Sequence, residues 1–365
     1  AISGRNKKKL EDLKKELNLD CDIFVADSDD YEAIKNFVKQ TKVVLSAAGP
    51  FAKYSTKVVK ACVECKTHYT DITGENHWVK GLIDRFHEKA ALDGTRIVPS
   101  CGYDSIPSDL GVYFSVTRSN QPVNHVTVYH SAKGGASGGT TETMFTMGPL
   151  PKEMRDPFLL NPKDSVSETQ KRKSLDNFSV KPIPGTDAFS GMGLMAFANT
   201  RVVRRSSALF DLNQKSYGPD FTFKELGSYP SKAAARITSF VLMSAFLVIA
   251  TPLRYLVRPL LPKPGDGPDK EARDNGWFRG LFIAELEDGS EKRFEIYGSG
   301  DPGYKSTSKM VCEAALTLAF SDDLPFGNEF GGVLTSAVGL GDPLISRLMK
   351  AGITFEALSL SLIHI

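Results

Sequence analysis

The 365-residue sequence has little cysteine and no excess of either charge. Its five cysteines are too few and too unevenly spaced for a disulfide scaffold, which fits a reducing compartment. The 45 basic and 43 acidic residues leave a formal net charge of +2, so there is no electrostatic basis for binding nucleic acid. The six histidines form no H-x-x-x-H spacing, and we expect no metal site.

The two ends of the sequence also lack the usual features. The chain starts without Met and without a signal peptide, directly in a strand-like AIS. We expect residues 360–365 (LSLIHI) to be a non-native tail and give them no part in the fold.

Cys62 and Cys65 form a C-x-x-C in the middle of a predicted helix. Because no second pair follows at a zinc-ribbon spacing, a structural role is favoured over redox chemistry or zinc.

The first hundred residues alternate short runs of strand-forming residues with amphipathic helices. Strands are predicted at residues 21–27, 43–49, 67–73 and 96–101, and Asn6 is expected to cap a helix with Leu10, Leu13 and Leu17 on one face. Strands and helices in this rhythm are typical of a parallel sheet with right-handed crossovers. The predicted fold class is α/β, with a Rossmann-like doubly wound parallel sheet.

The pattern changes after residue 120, where a second α+β domain on a mixed or antiparallel sheet is predicted. Residues 124–132 alternate like a half-buried strand, and Asp288-Gly289 is a hairpin signal between strands at 282–287 and 292–298. We expect this domain to span residues 121–335, followed by a helical C-terminal region at 336–359. Residues 152–187, rich in Pro, Lys, Asp and Ser, are predicted to form a long loop.

Residues 237–253 (ITSFVLMSAFLVIATPL) carry no charge and are flanked by Arg236, Arg254 and Arg258. The length is at the lower limit for a membrane span, so three interpretations stay open. The segment could contact a membrane or lipid-droplet surface, form a buried helix, or cross a bilayer. The flanking arginines slightly favour the surface interpretation, because they can reach anionic headgroups.

A dinucleotide-binding sheet holds its ligand at the carboxyl ends of its strands. The sequence has no G-x-G-x-x-G loop near its start, and Gly4 is the only early glycine. If the first visible strand is the second of the sheet, Arg5 lies where the adenosine ribose is recognised, and it would favour NADP by binding the 2′-phosphate. The alternative is a solvent-facing arginine in a turn. Asp27 could accept a hydrogen bond from the adenine or cap the next helix.

Small residues end the following strand. Ala47, Ala48 and Gly49 would let the backbone approach a cofactor closely, and Pro50 would fix the turn. We therefore predict that these four residues, with Gly4, Arg5 and Asp27, bind the cofactor.

Polar residues cluster at or after the ends of the last two predicted strands. They are Tyr69, Asp71, Glu75, Tyr103, Asp104 and Ser105. A reductase needs a proton donor beside the hydride acceptor, and a phenol can donate at neutral pH. Tyr103 is therefore the predicted donor, with Asp104 orienting it or the substrate. The alternative is that Tyr103 has only a packing role and no part in catalysis, while Ser108 and Asp109 cap the next helix.

Several long motifs follow one another in the order SAAGPF, HYTDITGE, CGYDSIPSDLG, GGASGGTTET, PKPGDGPDKEARDNGWFRG, GSGDPGYKSTSKM, GGVLT and AGITF. Together they resemble the saccharopine dehydrogenase-like oxidoreductases, in the branch that includes the trans-acting enoyl reductases. The resemblance covers nearly the whole chain. It implies a glycine-rich phosphate loop upstream of Ala1, so we expect the sequence to be N-terminally truncated, with the first strand missing, and inactive as it stands.

The resemblance, with the apolar segment, predicts an NADPH-dependent reductase of a lipid-like enoyl or acyl substrate in lipid or glycolipid metabolism. It implies no catalytic residue that can be placed on this sequence. Two alternatives stay open. One is an amino-acid dehydrogenase of the saccharopine type, for which Arg201, Arg204 and Arg205, in a strand-like run, would bind carboxylates. The other is a non-catalytic protein of a membrane or lipid-droplet surface.

Partners and location follow from the same hypotheses. We expect the cytoplasmic face of a membrane or lipid droplet, with the soluble cytoplasm or the mitochondrion as alternatives, and a homodimer is possible. GGASGGTTET could contact an anion or acyl chain, or could only allow close packing between domains.

Overall fold

The computed structural model describes residues 1–135, 152–176, 178–261 and 267–359. The twelve strands in these ranges form three sheets. They are β1 (Ile2–Gly4), β2 (Ile23–Val25), β3 (Val43–Ser46), β4 (His68–Asp71), β5 (Arg96–Val98), β6 (Val123–Lys133), β7 (Phe189–Gly191), β8 (Thr222–Tyr229), β9 (Trp277–Leu286), β10 (Glu291–Ser299), β11 (Gly332–Val333) and β12 (Ile353–Leu358).

The described α-helices are numbered in chain order. They are α1 (Lys7–Glu16), α2 (Tyr31–Val38), α3 (Phe51–Tyr54), α4 (Thr56–Cys65), α5 (Asn76–Leu92), α6 (Ile106–Thr117), α7 (Glu168–Lys173), α8 (Ala196–Leu212), α9 (Lys232–Ile249), α10 (Arg254–Val257), α11 (Lys270–Asp274), α12 (Thr307–Phe320), α13 (Ser336–Gly339) and α14 (Gly341–Lys350). Short 3-10 helices occupy Lys152–Arg155 and Arg258–Leu260, and Pro302–Ser306 forms a turn of π-helix.

The N-terminal part confirms the predicted α/β class. β1 pairs with β2 in parallel, and β3, β4, β5 and β11 form a separate parallel sheet in the order β11-β5-β4-β3. Neighbouring residues of β5 point to opposite faces, so Ile97 packs with α2, α4 and α5 while Val98 packs with the core under α6 and α12. The sheet is therefore covered on both faces, as a parallel sheet requires.

The second part of the chain is built on a six-stranded mixed sheet in the order β12-β10-β9-β6-β8-β7. All its pairs are antiparallel except β6 and β8. The predicted hairpin is confirmed: β9 and β10 are joined through Asp288-Gly289, and Gly289 has a positive φ of 81°.

Three details differ from the sequence-based expectations. β12 lies in the segment predicted to be helical, and β11, from the range of the second domain, extends the parallel sheet beside β5. Residues 152–187 are not a continuous loop, because Ser167 and Gln170 form a capping box that starts α7.

The domain boundaries stay a prediction. The tail at 360–365 and most of GGASGGTTET (residues 136–143) lie outside the described residues.

Arg201, Arg204 and Arg205 do not lie in a strand, as predicted, but on α8. Every residue of this helix from Asn199 to Phe210 is buried, so this part of the helix has no solvent-exposed face and its sequence lacks the helical period. The three guanidinium groups are bound within the protein. Arg201 and Arg204 contact Asp176, and Arg205 donates to the carbonyl oxygens of Leu160 and Val333.

Candidate functional site

A cleft of about 460 Å³ runs along the edges of β1 and β3 and reaches the carboxyl ends of β1, β2 and β3. The edges of β1 and β3 both line it, because among the described residues neither strand has a neighbour on that side. Six of the seven residues predicted to bind the cofactor line this cleft, namely Gly4, Arg5, Asp27, Ala47, Ala48 and Gly49. The structure therefore brings together residues that are up to 45 positions apart in the sequence.

Arg5 lies at the rim of this cleft, at the end of β1. Its side chain is exposed, and no hydrogen bond or ion pair to it is found in the part of the chain that the structure describes. Packing does not require glycine at position 4, since an added Cβ would meet only Leu10, at an ordinary contact distance of 3.5 Å. A free guanidinium beside a small residue suits a phosphate-bearing ligand.

Asp27 is also exposed in the cleft. The hypothesis that it caps the next helix is wrong, because Asp30 occupies the N-cap position of α2 and accepts a hydrogen bond from the N–H of Ala33. One carboxylate oxygen of Asp27 accepts from the N–H of Asp29 at 3.0 Å, and the residue lines the cleft.

Pro50 does not line the cleft. It is the N-cap residue of α3, and the Gly49–Pro50 peptide bond is cis. Glu75, in the loop after the neighbouring strand β4, holds this turn in place. Its buried carboxylate accepts hydrogen bonds from the backbone N–H groups of Phe51 and Ala52, at 2.7 and 3.0 Å.

The loop after β4 touches the loop after β5. Asp71 accepts hydrogen bonds from the N–H groups of Thr73 and Ser100, both at 2.9 Å, and ties the two loops together. Burial raises the pKa of Asp71 to about 7. An added Cβ on Gly74 would lie 3.5 Å from a carboxylate oxygen of Asp104, so these two loops bring Asp104 beside the turn at Glu75.

Tyr103 and Asp104, the predicted catalytic residues, are half-buried between the parallel sheet and the mixed sheet. The N–H of Tyr103 donates to Thr307 Oγ1 at 3.0 Å, and its ring packs edge-on against Phe278 and His130. Burial raises the pKa of the Tyr103 phenol, and the nearby carboxylates of Glu225 and Asp104 raise it further. The phenol therefore keeps its proton at neutral pH. Burial also raises the pKa of Asp104, to about 6.

Ser108 and Asp109 do not cap α6, as one hypothesis held. α6 starts at Ile106 with Ser105 at the N-cap position, so both side chains lie in the first turn and point inward. Asp109 accepts from Ser336 Oγ and from the N–H of Ala337, and joins α6 to α13. Because these contacts come from distant parts of the chain, the local sequence pattern does not reveal them.

Sequence reasoning missed a group of polar residues behind Asp104. Ser108 lies within hydrogen-bond distance of both His130 and Glu225, and Asn199 also donates to Glu225. Glu225 offered no clear signal in the sequence, because the strand β8 (TFKELGSY) also contains Thr222, Lys224 and Ser228. In the described ranges, no group of three or more His, Cys, Asp or Glu side chains is arranged to hold a metal ion.

Comparisons with known proteins agree with this geometry. The model of the saccharopine dehydrogenase NADP binding domain matches residues 1–98, and NADP is the cofactor that this domain binds. The apo saccharopine dehydrogenase (L-Glu forming) of Saccharomyces cerevisiae has a similar fold. It superposes with a TM-score of 0.52 and 13% identity, over 98% of this chain and 93% of the yeast chain.

Relatives of higher identity are mycobacterial. A Mycobacterium tuberculosis protein, provisionally named a trans-acting enoyl reductase, is 32% identical over 99% of this chain and 91% of its own length. The trans-acting enoyl reductase of Mycobacterium ulcerans is 31% identical over 98% of this chain and 90% of its own. The cleft, with Arg5 at its rim and Ala47, Ala48 and Gly49 on one wall, lies within the residues that the NADP binding domain covers. The chain belongs to the saccharopine dehydrogenase-like oxidoreductases, in the branch of the trans-acting enoyl reductases.

Proposed function

We propose that this protein uses NADPH to reduce an activated carbon–carbon double bond in a lipid-like substrate. The observation that carries this proposal is the position of Tyr103 and Asp104. Both lie on the loop after β5, at the edge of the parallel sheet where the cofactor cleft opens, without lining that cleft, and the ring of Tyr103 packs against Phe278 of the mixed sheet. The names of the mycobacterial relatives support enoyl reduction as the reaction.

The residues of the site would divide the work as follows. Arg5 would bind the 2′-phosphate, and the turn at Ala47, Ala48 and Gly49 would let the dinucleotide approach the backbone. NADPH would supply a hydride to the β-carbon of the substrate. The proton that completes the reduction at the α-carbon would come from the phenol of Tyr103 or from the carboxyl of Asp104, whose proton is retained up to about pH 6.

The amino-acid dehydrogenase alternative has less support from the structure. The three arginines that this alternative would use, Arg201, Arg204 and Arg205, are buried in α8. Their guanidinium groups are all bound to Asp176 or to backbone carbonyl oxygens. None is available for a substrate carboxylate without breaking these contacts.

The decisive experiment is an assay of the full-length protein with NADPH and a series of enoyl thioesters of increasing chain length. Oxidation of NADPH is followed by absorbance, and a nucleotide deuterated at C4 should leave its label on the β-carbon of the product. Tyr103→Phe and Asp104→Asn should lower kcat, whereas Tyr113→Phe, which removes only a bond from α6 to Asp342, should not. Normal binding of NADPH without oxidation by any acyl acceptor would contradict the proposal. Turnover of lysine with 2-oxoglutarate would favour the amino-acid dehydrogenase.

The same proposal places the protein on the surface of a membrane or lipid droplet through α9. By length and composition α9 could also cross a membrane, although a single such helix is weak evidence. Of its residues only Ala235 and Ser239 are buried, which argues against the buried-helix interpretation of this segment. The exposed fractions of Ile237, Phe240 and Leu247 are 65%, 71% and 63%. A row of apolar side chains in water is a feature of surfaces that bind something apolar.

The charges around α9 favour an anionic lipid surface over an apolar protein partner. No acidic residue occurs between Glu225 and Asp266 in the sequence, whereas five basic residues do, at positions 232, 236, 254, 258 and 263. Basic side chains beside an exposed apolar face are typical of helices that lie in the headgroup region of a bilayer. A homodimer stays a prediction.

A further inference from the structure

Residues 192–197 lead from β7 into the first turn of α8 and are held by two separate parts of the protein. We call them the linking segment. At its start, the N–H of Met192 donates to Ser239 Oγ of α9 at 2.9 Å. Directly after its end, the carbonyl oxygen of Ala198 accepts from the side-chain amide of Asn76, the first residue of α5, at 3.0 Å. The linking segment therefore spans the distance between α9 and the loop after β4.

One face of α9 lies along the linking segment. This inner face carries Ser239 and, about two helical turns later, Phe246. The ring of Phe246 packs edge-on against the ring of Phe197, with the ring centroids 6.0 Å apart. The exposed side chains of Phe240 and Leu247 lie about a quarter turn from the inner face. The apolar surface of α9 therefore continues onto the linking segment at Phe197.

The linking segment carries apolar side chains up to the candidate site. Phe197 and Leu194 are 44% and 50% exposed, and Met195 is half-buried. An added Cβ on Gly74 would lie 3.8 Å from Met195 Cε and 3.5 Å from Asp104 Oδ2. Because glycine leaves that place empty, Met195 and Asp104 border the same small space. A row of apolar side chains therefore leads from α9 to the carboxyl group of Asp104.

The chemistry of the linking segment favours an acyl chain as the occupant of this surface. Its sequence, MGLMAF, contains no charged side chain and no side-chain N–H or O–H group. A peptide lying there would find no side-chain partners for its backbone N–H and C=O groups, which is costly, whereas an acyl chain needs none. The basic residues around α9, at positions 232, 236, 254 and 258, suit an anionic lipid surface as the source of that chain.

We propose that the acyl chain of the substrate passes from the lipid surface at α9 to Asp104 along the linking segment, in contact with Phe197, Leu194 and Met195. This inference deepens the proposed function and rests on it for the reaction. It assigns two roles to α9, since its exposed face binds the lipid surface while its inner face holds the linking segment at the point of entry. The substrate is then a lipid dissolved in the membrane, and the linking segment selects long chains over short ones.

Photolabelling tests this path without turnover. The full-length protein is bound to vesicles of phosphatidylcholine and phosphatidylglycerol that contain a hexadecenoyl thioester with a diazirine midway along its chain. After irradiation, mass spectrometry of peptides should find the label on the linking segment and on the inner face of α9. Phe240→Glu, which weakens attachment to the vesicles, should lower this labelling. Label confined to the exposed face of α9, or unchanged labelling of the linking segment in Phe240→Glu, would overturn the proposal.

Leu194→Asp and Phe197→Asp test the two exposed contacts. Each places a carboxylate beside the chain, so the label per vesicle-bound protein should fall about tenfold, which corresponds to roughly two methylene groups out of contact. Counting label per bound protein separates entry of the chain from attachment of the protein. The matched control is Leu212→Asp, because Leu212 is 62% exposed at the opposite end of α8. Equal labelling of the wild type and both variants would contradict the proposal.

Turnover provides a separate measurement. In Leu194→Asp and Phe197→Asp, the ratio of kcat/KM for a hexadecenoyl thioester to that for a crotonyl thioester should fall about tenfold, because only the long chain extends along the linking segment. Damage to the fold would lower both values and keep their ratio, and an unchanged ratio would remove these two residues from the path. If no enoyl thioester is reduced, the proposed function fails, while photolabelling still decides whether an acyl chain enters here.

Discussion

Glu75 and Phe51 are joined by a hydrogen bond of 2.7 Å between a buried carboxylate and a backbone N–H. The second carboxylate oxygen accepts from Ala52. These two bonds connect the loop after β4 to the turn after β3, which carries Ala47, Ala48 and Gly49 into the cofactor cleft. The shape of the cleft at this point therefore depends on a side chain that does not line it.

Glu75→Gln should destabilise the protein and weaken binding of NADPH. The amide keeps one acceptor but turns its NH₂ group toward a backbone N–H, which leaves a buried donor without a partner and costs about 1–3 kcal/mol. Urea unfolding gives the change in stability, and calorimetry gives the dissociation constant. The control is Glu88→Gln, which alters an exposed carboxyl of α5 and should change neither. Wild-type behaviour of Glu75→Gln would mean that the turn holds its shape without this contact.

Arg5 should determine the preference for NADPH over NADH. A charge-assisted bond from its guanidinium to the 2′-phosphate is worth about 1.5–3 kcal/mol, so Arg5→Ala should raise the dissociation constant of NADPH roughly 10- to 100-fold. Binding of NADH, which lacks that phosphate, should not change. Arg85→Ala removes an exposed arginine of α5 that does not line the cleft, and serves as the control. An equal loss for both nucleotides would assign Arg5 a role in the turn and none in selectivity.

His125 provides a pH-dependent test of the mixed sheet. Its ring nitrogens lie 2.7 Å from Thr222 Oγ1 and 2.9 Å from Thr127 Oγ1. Burial, and next the positive charges of Lys224 and Lys173, lower the pKa of His125 to about 4, against 6.5 in the unfolded chain. The folded state therefore favours the neutral ring. This contribution is fully present above about pH 6.5 and is lost as the pH falls toward 4.

The measurement is the difference in free energy of unfolding between the wild type and His125→Gln, at pH 7.5 and at pH 5. The wild type should lose about 2 kcal/mol relative to the variant between these two values. Taking the difference is essential, because buried acids such as Asp71 and Asp109 have raised pKa values and stabilise the fold as the pH falls. They contribute equally to both proteins and cancel. A constant difference would show that His125 titrates normally in the fold.

The sequence predicts those parts of the structure that depend on local patterns. The strands after residues 20, 42, 67 and 95 were found because each is a short run rich in residues that favour strands, such as Val, Ile, Tyr and Thr. The cofactor residues were found because their place at strand ends is a local property. Arg5 and Gly49 reach the same cleft because the edges of β1 and β3, which belong to two separate sheets, both line it.

Other parts could not be predicted, because they depend on contacts between distant segments. α8 is buried on all sides, so its arginines gave no helical period. The polar group around Glu225, behind Asp104, contains one residue each from β6, β8, α6 and α8, and no spacing in the sequence relates them. Ser108 and Asp109 were interpreted as caps, because Ser and Asp near a helix start usually are, whereas here tertiary partners bind both side chains.

The apolar face of α9 should bind lipid surfaces. Phe240→Glu places a charge at a side chain that is 71% exposed, so it should change stability by no more than about 0.5 kcal/mol. It should nevertheless reduce co-sedimentation with vesicles that contain anionic phospholipid, because the charge must be desolvated at the headgroup boundary. Leu92→Glu is a matched control, since Leu92 is 88% exposed at the end of α5, away from this face. High salt should weaken binding if the basic residues contribute.

Extraction with alkaline carbonate then separates the two remaining interpretations of this helix. It should release a protein that lies on the surface and retain one that crosses the bilayer. Equal binding of the wild type and Phe240→Glu, or no binding by either, would show that α9 does not mediate lipid contact.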